Sequence, residues 1–449
     1  MLENSASTPP AGAPAPVSPQ APPLQRRAVV AGTVGHALEW FDFGVYAYLA
    51  VIIAAQFFPS EDPTASLLSS LAVFGVGFVA RPLGALYFGR LGDRRGRKAV
   101  LLTTLMLMAV ATLGIAVTPT YATIGAVAPL VLVVCRLLQG FSAGGETTTA
   151  VAYLVEWAPP RRRGFFGSFM QIGSAVGLLT GSLVVALCTA VLGETSMSDW
   201  GWRVPFVIGG LLAPIAYLIR RSTEETPHFT AAQDEREAAP AAGAGAATAA
   251  RRVAGPRSSS VVRAFLFSSF WSVTFYFFLT YMPTLLQREF DVSGSAALWV
   301  NVVSLVFYTC LIPITGALSD RLGRKPLALA SAVAFIVVPI PLFHALTGTS
   351  STLALYGTVL AVGLFLSLFT GPAPATLAEF FPTANRSSGM AIGYSLAAVV
   401  FGGFTPYVCT WLIDVTGQPL APVYYVAAIS LLAVPVLLSQ RETARTEMR

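Results

Sequence analysis

The sequence predicts an all-α integral membrane protein, with twelve transmembrane helices in two pseudo-symmetric six-helix bundles. Three observations lead there. Of 449 residues, 55% are hydrophobic and only 11% charged, against about 25% charged in soluble chains, so a chain of this size cannot cover a water-facing surface. Twelve largely apolar stretches each approach the ~20 residues that a helix needs to cross hydrocarbon. A ten-residue string also recurs at the end of the second stretch in each half.

The stretches follow in order. The first, 28–55, begins after a Pro-, Ala- and Ser-rich tail and the pair Arg26 and Arg27. The second, 65–88, ends at a basic loop, and the third and fourth, 99–118 and 122–147, run from that loop to Arg161–Arg163. The fifth, 165–192, starts beyond those arginines, and the sixth, 203–220, opens at "GWRVPF". The second half holds 262–286, 295–318, 326–346, 352–377, 387–412 and 421–439. Their length and glycine content point to helices, since barrel strands need only ~10 alternating residues. The polar, Ala/Gly-rich run "AAQDEREAAPAAGAGAATAARR" separates six stretches from six and reads as a flexible linker. The expected organisation is a disordered cytoplasmic tail over 1–27, a six-helix bundle over 28–221, a cytoplasmic linker over 222–260, a second bundle over 261–439 and a tail over 440–449.

On this reading 24 of the 28 Lys and Arg residues fall on one side. The positive-inside rule then makes both termini cytoplasmic. The net charge of +6 is an orientation signal, and no nucleic-acid partner is expected. Cys135, Cys188, Cys310 and Cys409 stand singly in apolar helices without metal or redox spacing. With only His36, His228 and His344 as histidines, there is no catalytic or metal constellation. The chain is expected to be no enzyme and to carry neither cofactor nor metal.

Five charges lie deep within helices: Glu39, Asp42, Arg81, Arg136 and Glu146. Each costs at least ~2.5–3.5 kcal/mol at the bilayer centre, so each should face a cavity and have a partner. Glu39 and Asp42 lie ~16 and ~21 Å along the first helix at 1.5 Å per residue and share one face. Two close carboxylates in low dielectric cannot both comfortably ionise, which suits proton coupling. Alternatively, one simply neutralises an arginine. Arg81 and Arg136 offer planar forks for a carboxylate substrate. They could instead form internal pairs, Arg81 with Asp42 and Arg136 with Glu146. Polar candidates in the second half are Tyr276, Tyr281, Asn301, Tyr308 and Tyr394, although most such tyrosines pack or sit at the interface. Prolines in "FFLTYMPTLL" and "GPAPATLAEFFP" are expected to break helices where backbone lines the cavity. Glu379 and Arg386 are expected to pair across their loop.

The repeat pairs "GRLGDRRGRK" at 89–98 with "GALSDRLGRK" at 316–325. Duplicated units of this kind are built around a site between the halves, near the midplane. In each copy a carboxylate, Asp93 or Asp320, sits beside a helix end where it can cap a neighbouring N-terminus.

Both strings resemble the loop motif of the major facilitator superfamily. "EWFDF", "RLLQGFSAGGE", "YLVEWAPPRRRGFFGSF", "GWRVPF", "RRSTEETPHF", "LTYMPTLL" and "FGGFTP" resemble its metabolite:proton symporter branch. The region "FGGFTP…WLIDVTG" looks most like the citrate and tricarballylate carriers, and "GHALEWFDF" resembles the dicarboxylate carriers about as well. His36 stands where many relatives have Asn. The resemblance implies a proton-coupled symporter that imports citrate or another tri- or dicarboxylate by alternating access. The alternatives are a proline/betaine or shikimate carrier, or a transporter-like sensor. Its implied home is a bacterial cytoplasmic (inner) membrane, with an organic acid, a proton and the lipid bilayer as partners, and the chain as a monomer. Glu39 and Asp42 would carry the proton. Arg81, Arg136, His36, Tyr276, Tyr281, Asn301, Tyr308 and Tyr394 would bind substrate. Gly89, Asp93, Arg94, Gly96, Arg97, Gly316, Asp320, Arg321, Gly323 and Arg324 would latch the cytoplasmic side, and Gly140, Gly144 and Glu146 form the motif of the fourth helix.

Overall fold

The computed structural model describes residues 22–95, 97–144, 158–159, 161–221, 258–347, 351–381 and 386–444. Gly96, Glu146, most of both tails and most of the expected linker lie outside these residues. So do the side chains of Asp93, Arg94, Arg97 and Arg386.

Among the described residues, nine helices are long and apolar enough to cross a membrane, a bent pair makes a tenth span, and two shorter apolar helices complete twelve. In chain order, α1 is Thr33–Tyr48 continued, after a 64° bend, by Ala50–Phe57. Then come α2 (Pro63–Leu91), α3 (Ala99–Val117), α4 (Val127–Ala143), α5 (Arg163–Gly201) and α6 (Arg203–Pro214). The second half is α7 (Ser258–Glu289), α8 (Gly294–Leu322), α9 (Arg324–Thr347), α10 (Thr352–Glu379), α11 (Gly389–Thr416) and α12 (Ala421–Ser439). Local chemistry sets several starts. Asp62 caps α2 through the Thr64 N–H with Pro63 following, and Ser293 and Ser351 cap α8 and α10. Each side chain satisfies a donor that the first helical turn leaves unpaired. Large apolar side chains stay exposed around the outside, Leu83, Val191 and Leu432 among them, as a lipid-facing surface requires.

The two bundles meet along α5 against α8 and α2 against α11, while α5 also packs along α1. Within the first bundle, α2 and α4 touch backbone to backbone. A Cβ on Gly140 would strike the Gly77 carbonyl, and one on Gly144 would strike that of Arg81. Small residues permit this close approach, and it carries Arg81 and Arg136 inward together.

The single proline of α7, Pro283, does not break it. The chain widens into a π turn over Phe277–Tyr281, and Pro283 then falls in the first turn of the next α-helical segment, where its missing N–H is no loss. In α10 the α-helical geometry does lapse, at Gly371 and Pro372, and resumes at Ala373. A π turn, Ala398–Gly403, also interrupts α11. Gly402 of this turn lies against the ring of Tyr276, the residue that leads into the α7 turn.

Candidate functional site

On α1, His36, Glu39, Trp40 and Phe43 fall at positions i, i+3, i+4 and i+7, on one face of the helix. Of these, Trp40 reaches the second bundle, meeting Phe275 and Tyr276 of α7. His36 and Trp40 close one wall of a small cavity, together with Met170, Gln171 and Ser174 of α5, Trp271, Ser272, Phe275 and Tyr276 of α7, and Tyr394 of α11. The walls are mainly aromatic. Trp40 meets Phe275 edge-on, with ring centroids 4.9 Å apart, and Tyr276 at 5.7 Å; Trp271 lies 5.6 Å from Tyr394. No carboxylate, guanidinium or ammonium is among the lining groups. The Tyr276 hydroxyl is buried and has no hydrogen-bond partner among the described residues.

The charges sit behind this wall. Arg81 Nη2 donates to Glu39 Oε1 at 3.2 Å, and its guanidinium lies over Phe78 and Phe43 at 4.3 and 4.9 Å. Arg136 lies over Tyr46 at 4.1 Å and over the same Phe43 ring at 5.0 Å, so Phe43 is placed between two guanidinium groups. Arg136 Nη1 donates to Gln139 Oε1 at 2.7 Å, and Gln139 Nε2 donates to Asp42 Oδ2 at 2.9 Å. Thr112 also donates to Asp42. The internal pairing expected for Arg81 is therefore corrected from Asp42 to Glu39. Three residues turn the helix by ~300° and raise it ~4.5 Å, so Glu39 faces α2 while Asp42 faces α3 and α4. Arg136 reaches Asp42 through Gln139; its expected partner Glu146 lies outside the described residues. Each carboxylate keeps one oxygen without a hydrogen bond, Glu39 Oε2 and Asp42 Oδ1. A proton can add there without first breaking the contact on the other oxygen.

The remaining polar candidates divide. Tyr276, Tyr394 and His36 line the cavity. Tyr281 accepts from Thr410 at 3.0 Å in the α7–α11 seam. Asn301 donates to Ser182 at 3.1 Å in the α5–α8 seam. Tyr308 donates to Thr370 at 2.8 Å and accepts from Gln171 at 3.2 Å, one step from the cavity. Arg81 and Arg136 do not line it.

Contacts join the two halves at each end. At the end carrying the basic loops, Asp320 accepts from the Gly164 and Phe165 N–H groups at the start of α5, 2.9 Å each, and pairs with Arg324 at 2.8 Å. A Cβ on Gly316 would sit 2.8 Å from the Gly164 carbonyl, so the glycine allows that approach. Glu379 takes Arg324 at 3.6 Å and Arg163 at 3.9 Å; the side chain of its expected partner Arg386 lies outside the described residues. Gly323, at φ +108°, turns the chain so that Glu442 accepts from the Arg324 and Lys325 N–H groups at 2.9 and 3.1 Å. Partial burial pushes the Glu442 carboxyl up, but the backbone donors of Arg324, Ala444, Lys325 and Thr443 outweigh it and hold the group below its ordinary value. In the same region Gly89 has open space around it, and Arg321 is exposed. At the opposite end, Tyr48 donates to the Leu279 carbonyl at 2.9 Å and Arg288 to Thr64 at 3.1 Å. Contacts between the two halves thus stand at both ends among the described residues.

Sequence reasoning passed over Gln139, Thr112, Glu442 and most of the aromatic lining. Gln139 was findable, as an amide three residues from Arg136 in an otherwise apolar helix. Trp40 and Trp271 carry no signal beyond their size.

Comparison with known proteins gives the same architecture. Residues 28–254 match the family model "Sugar (and other) transporter" and residues 264–447 match "Major Facilitator Superfamily". The chain is 35% identical over 426 residues to the proline/betaine transporter of Salmonella typhimurium, covering 94% of this chain and 85% of that one. It is 37% identical over 439 residues to the ectoine/proline transporter ProP of Corynebacterium glutamicum, covering 94% and 86%. Among solved structures it resembles the partially occluded inward-open xylose transporter XylE of E. coli, with TM-score 0.77, 18% identity, and 95% and 100% of the two chains covered.

Proposed function

The chain belongs to the major facilitator superfamily of transporters, and on that premise we propose that it is a proton-coupled symporter for small zwitterions of the proline and betaine class. The observation that carries this reading is the cavity: aromatic on most sides and free of fixed charge. A cation over aromatic faces is attracted by the ring quadrupoles, and quaternary ammonium groups are recognised in this way. A citrate-like trianion would need several unpaired cations there. Arg81 is instead engaged by Glu39, and Arg136 lies behind Phe43 and Tyr46. The relatives named for proline, betaine and ectoine support the same class, and the expectation of a tri- or dicarboxylate substrate gives way to it.

In this reading the basic end is cytoplasmic and transport is inward. The six-helix units joined through 222–260 rock about the cavity, with Glu39 and Asp42 as proton sites. The test is uptake by the purified protein in proteoliposomes. Glycine betaine, proline and ectoine are compared with citrate, tricarballylate, 2-oxoglutarate and shikimate, with and without an outside-acid gradient. Saturable, gradient-accelerated uptake of a zwitterion is expected. Uptake of citrate with no response to the zwitterions would overturn the proposal.

A further inference from the structure

A zwitterion brings a carboxylate as well as a cation, and the cavity as it stands offers that carboxylate no cationic partner. The nearest candidate is His36. Its Nε2 lies 3.0 Å from Trp40 Nε1 and 2.9 Å from Ser174 Oγ. An indole N–H only donates, so Nε2 must present its lone pair. In this conformation the ring is therefore neutral, with its proton on Nδ1. That nitrogen faces Glu39 Oε2 at 3.6 Å, and neither atom has a hydrogen-bond partner among the described residues. The imidazole thus stands between a buried carboxylate and the substrate cavity.

We propose that His36 and Trp40 together form a proton-dependent carboxylate subsite, which takes the carboxylate of the transported zwitterion only when His36 is doubly protonated. A proton added at Nε2 turns the Trp40 contact from donor–acceptor into donor–donor. The new Nε2–H can point to Ser174 Oγ, 2.9 Å away, and be shared with an incoming anion, while the indole N–H is left to find another acceptor. Two N–H groups on nitrogens about 3 Å apart, both bordering the cavity, match the two oxygens of one carboxylate. The imidazolium keeps Glu39 as a counter-charge on its far side. Proton and substrate carboxylate then bind as one neutral unit, and neither enters the cavity cheaply without the other.

The charged and titratable groups around His36 are few. Glu39 lies on its own helix, Arg81 of α2 pairs with Glu39, and Tyr276 of α7 and Tyr394 of α11 border the same cavity. The α5 neighbours Gln171 and Ser174 do not titrate. Asp42 is on another face of α1 and, like Arg136 of α4, is tied to Gln139. Among the described residues, position 36 is therefore the one imidazole at the cavity wall.

The subsite rests on the zwitterion reading above, and the test separates the two. Equilibrium binding of radiolabelled glycine betaine and of choline, which has the same trimethylammonium group but no carboxylate, is measured on purified full-length protein between about pH 5.5 and 7.5, the range in which imidazoles change charge. For the wild type, betaine should bind at least ~10-fold tighter at the acid end, by linkage, while choline shows little dependence. His36→Asn should bind betaine at the wild type's weak, high-pH level with the slope gone. His36→Gln is the second variant should the first not fold. Wild-type tryptophan fluorescence should shift over the same range, and the shift should be absent in Trp40→Phe. An unchanged betaine slope in a folded His36 variant, or the same slope for choline, overturns the subsite alone. Failure of both ligands to bind at any pH overturns the zwitterion reading and the subsite with it.

Discussion

Asp320→Asn probes how the basic end is held shut. Asp320 spends both oxygens on the Gly164 and Phe165 N–H groups, 2.9 Å each, with Arg324 at 2.8 Å. The amide keeps one carbonyl oxygen, turns an NH2 toward the other backbone donor and removes the charge. Hydrogen bonds to a charged group contribute ~1.5–3 kcal/mol each. Losing one outright and weakening the second removes roughly 2–4 kcal/mol, equivalent to a ~30- to 1,000-fold shift toward opening. Glu379, still 3.6 Å from Arg324, keeps the loss toward the lower end. Hydrogen–deuterium exchange in lipid nanodiscs reads this at the amides of Gly164 and Phe165. Their exchange should accelerate by the same order, while the middle of α5 stays protected. Wild-type exchange at those two amides, in a variant that is folded and monodisperse, would refute the capping argument.

Other outcomes follow from the same geometry. Arg81→Ala leaves Glu39 buried without its cation and should cost ~3–5 kcal/mol, seen as a lowered melting temperature; adding Glu39→Gln should restore most of it, and a double variant as unstable as the single would exclude the pairing. Asp42→Asn should abolish gradient-driven accumulation while substrate exchange continues, and unchanged uphill uptake would show that Asp42 does not carry the proton. Gly140→Val pushes a side chain into the Gly77 carbonyl and should destabilise by ~1–3 kcal/mol through overpacking; a wild-type denaturation profile would contradict the contact. Because Glu442 is held below its ordinary carboxyl value of 4.5, its contribution is complete above about that pH and fades as pH falls through the lower, folded-state value. Glu442→Gln should therefore weaken the α9 clamp at pH 7 and erase this acid-dependent part, measured by melts from pH 7 to 3.

The helices were legible because hydropathy alone places them. The bend after Tyr48 was not, since "YLAVII" holds only ordinary helix-compatible apolar residues and the turn comes from packing. Glu39, Asp42, Arg81 and Arg136 stood out because charge in an apolar helix is rare, and that same rarity drew attention to the arginines as substrate ligands. What lines the cavity is instead Trp40, Trp271, Phe275, Tyr276 and Tyr394, residues that fill lipid-facing and core positions equally well. An aromatic wall has no signature until the helices are assembled around it. Partner choice was also hidden, because the face that each carboxylate presents depends on where α2 and α4 lie, and the glycines at 77, 140 and 144 decide that.

The π turns in α7 and α11 bear on how the two halves of the chain can be compared. A π turn holds about one residue more than an α-helical turn, and one residue corresponds to ~100° of rotation about a helix axis. Everything beyond Tyr281 or Gly403 therefore faces a direction that an uninterrupted helix would have given to a neighbouring residue. An alignment of the first half onto the second must take account of these turns, and of the π turn Met197–Gly201 that ends α5 in the first half. A register kept straight through them would match cavity positions to lipid-facing ones in two of the four helices that line the cavity.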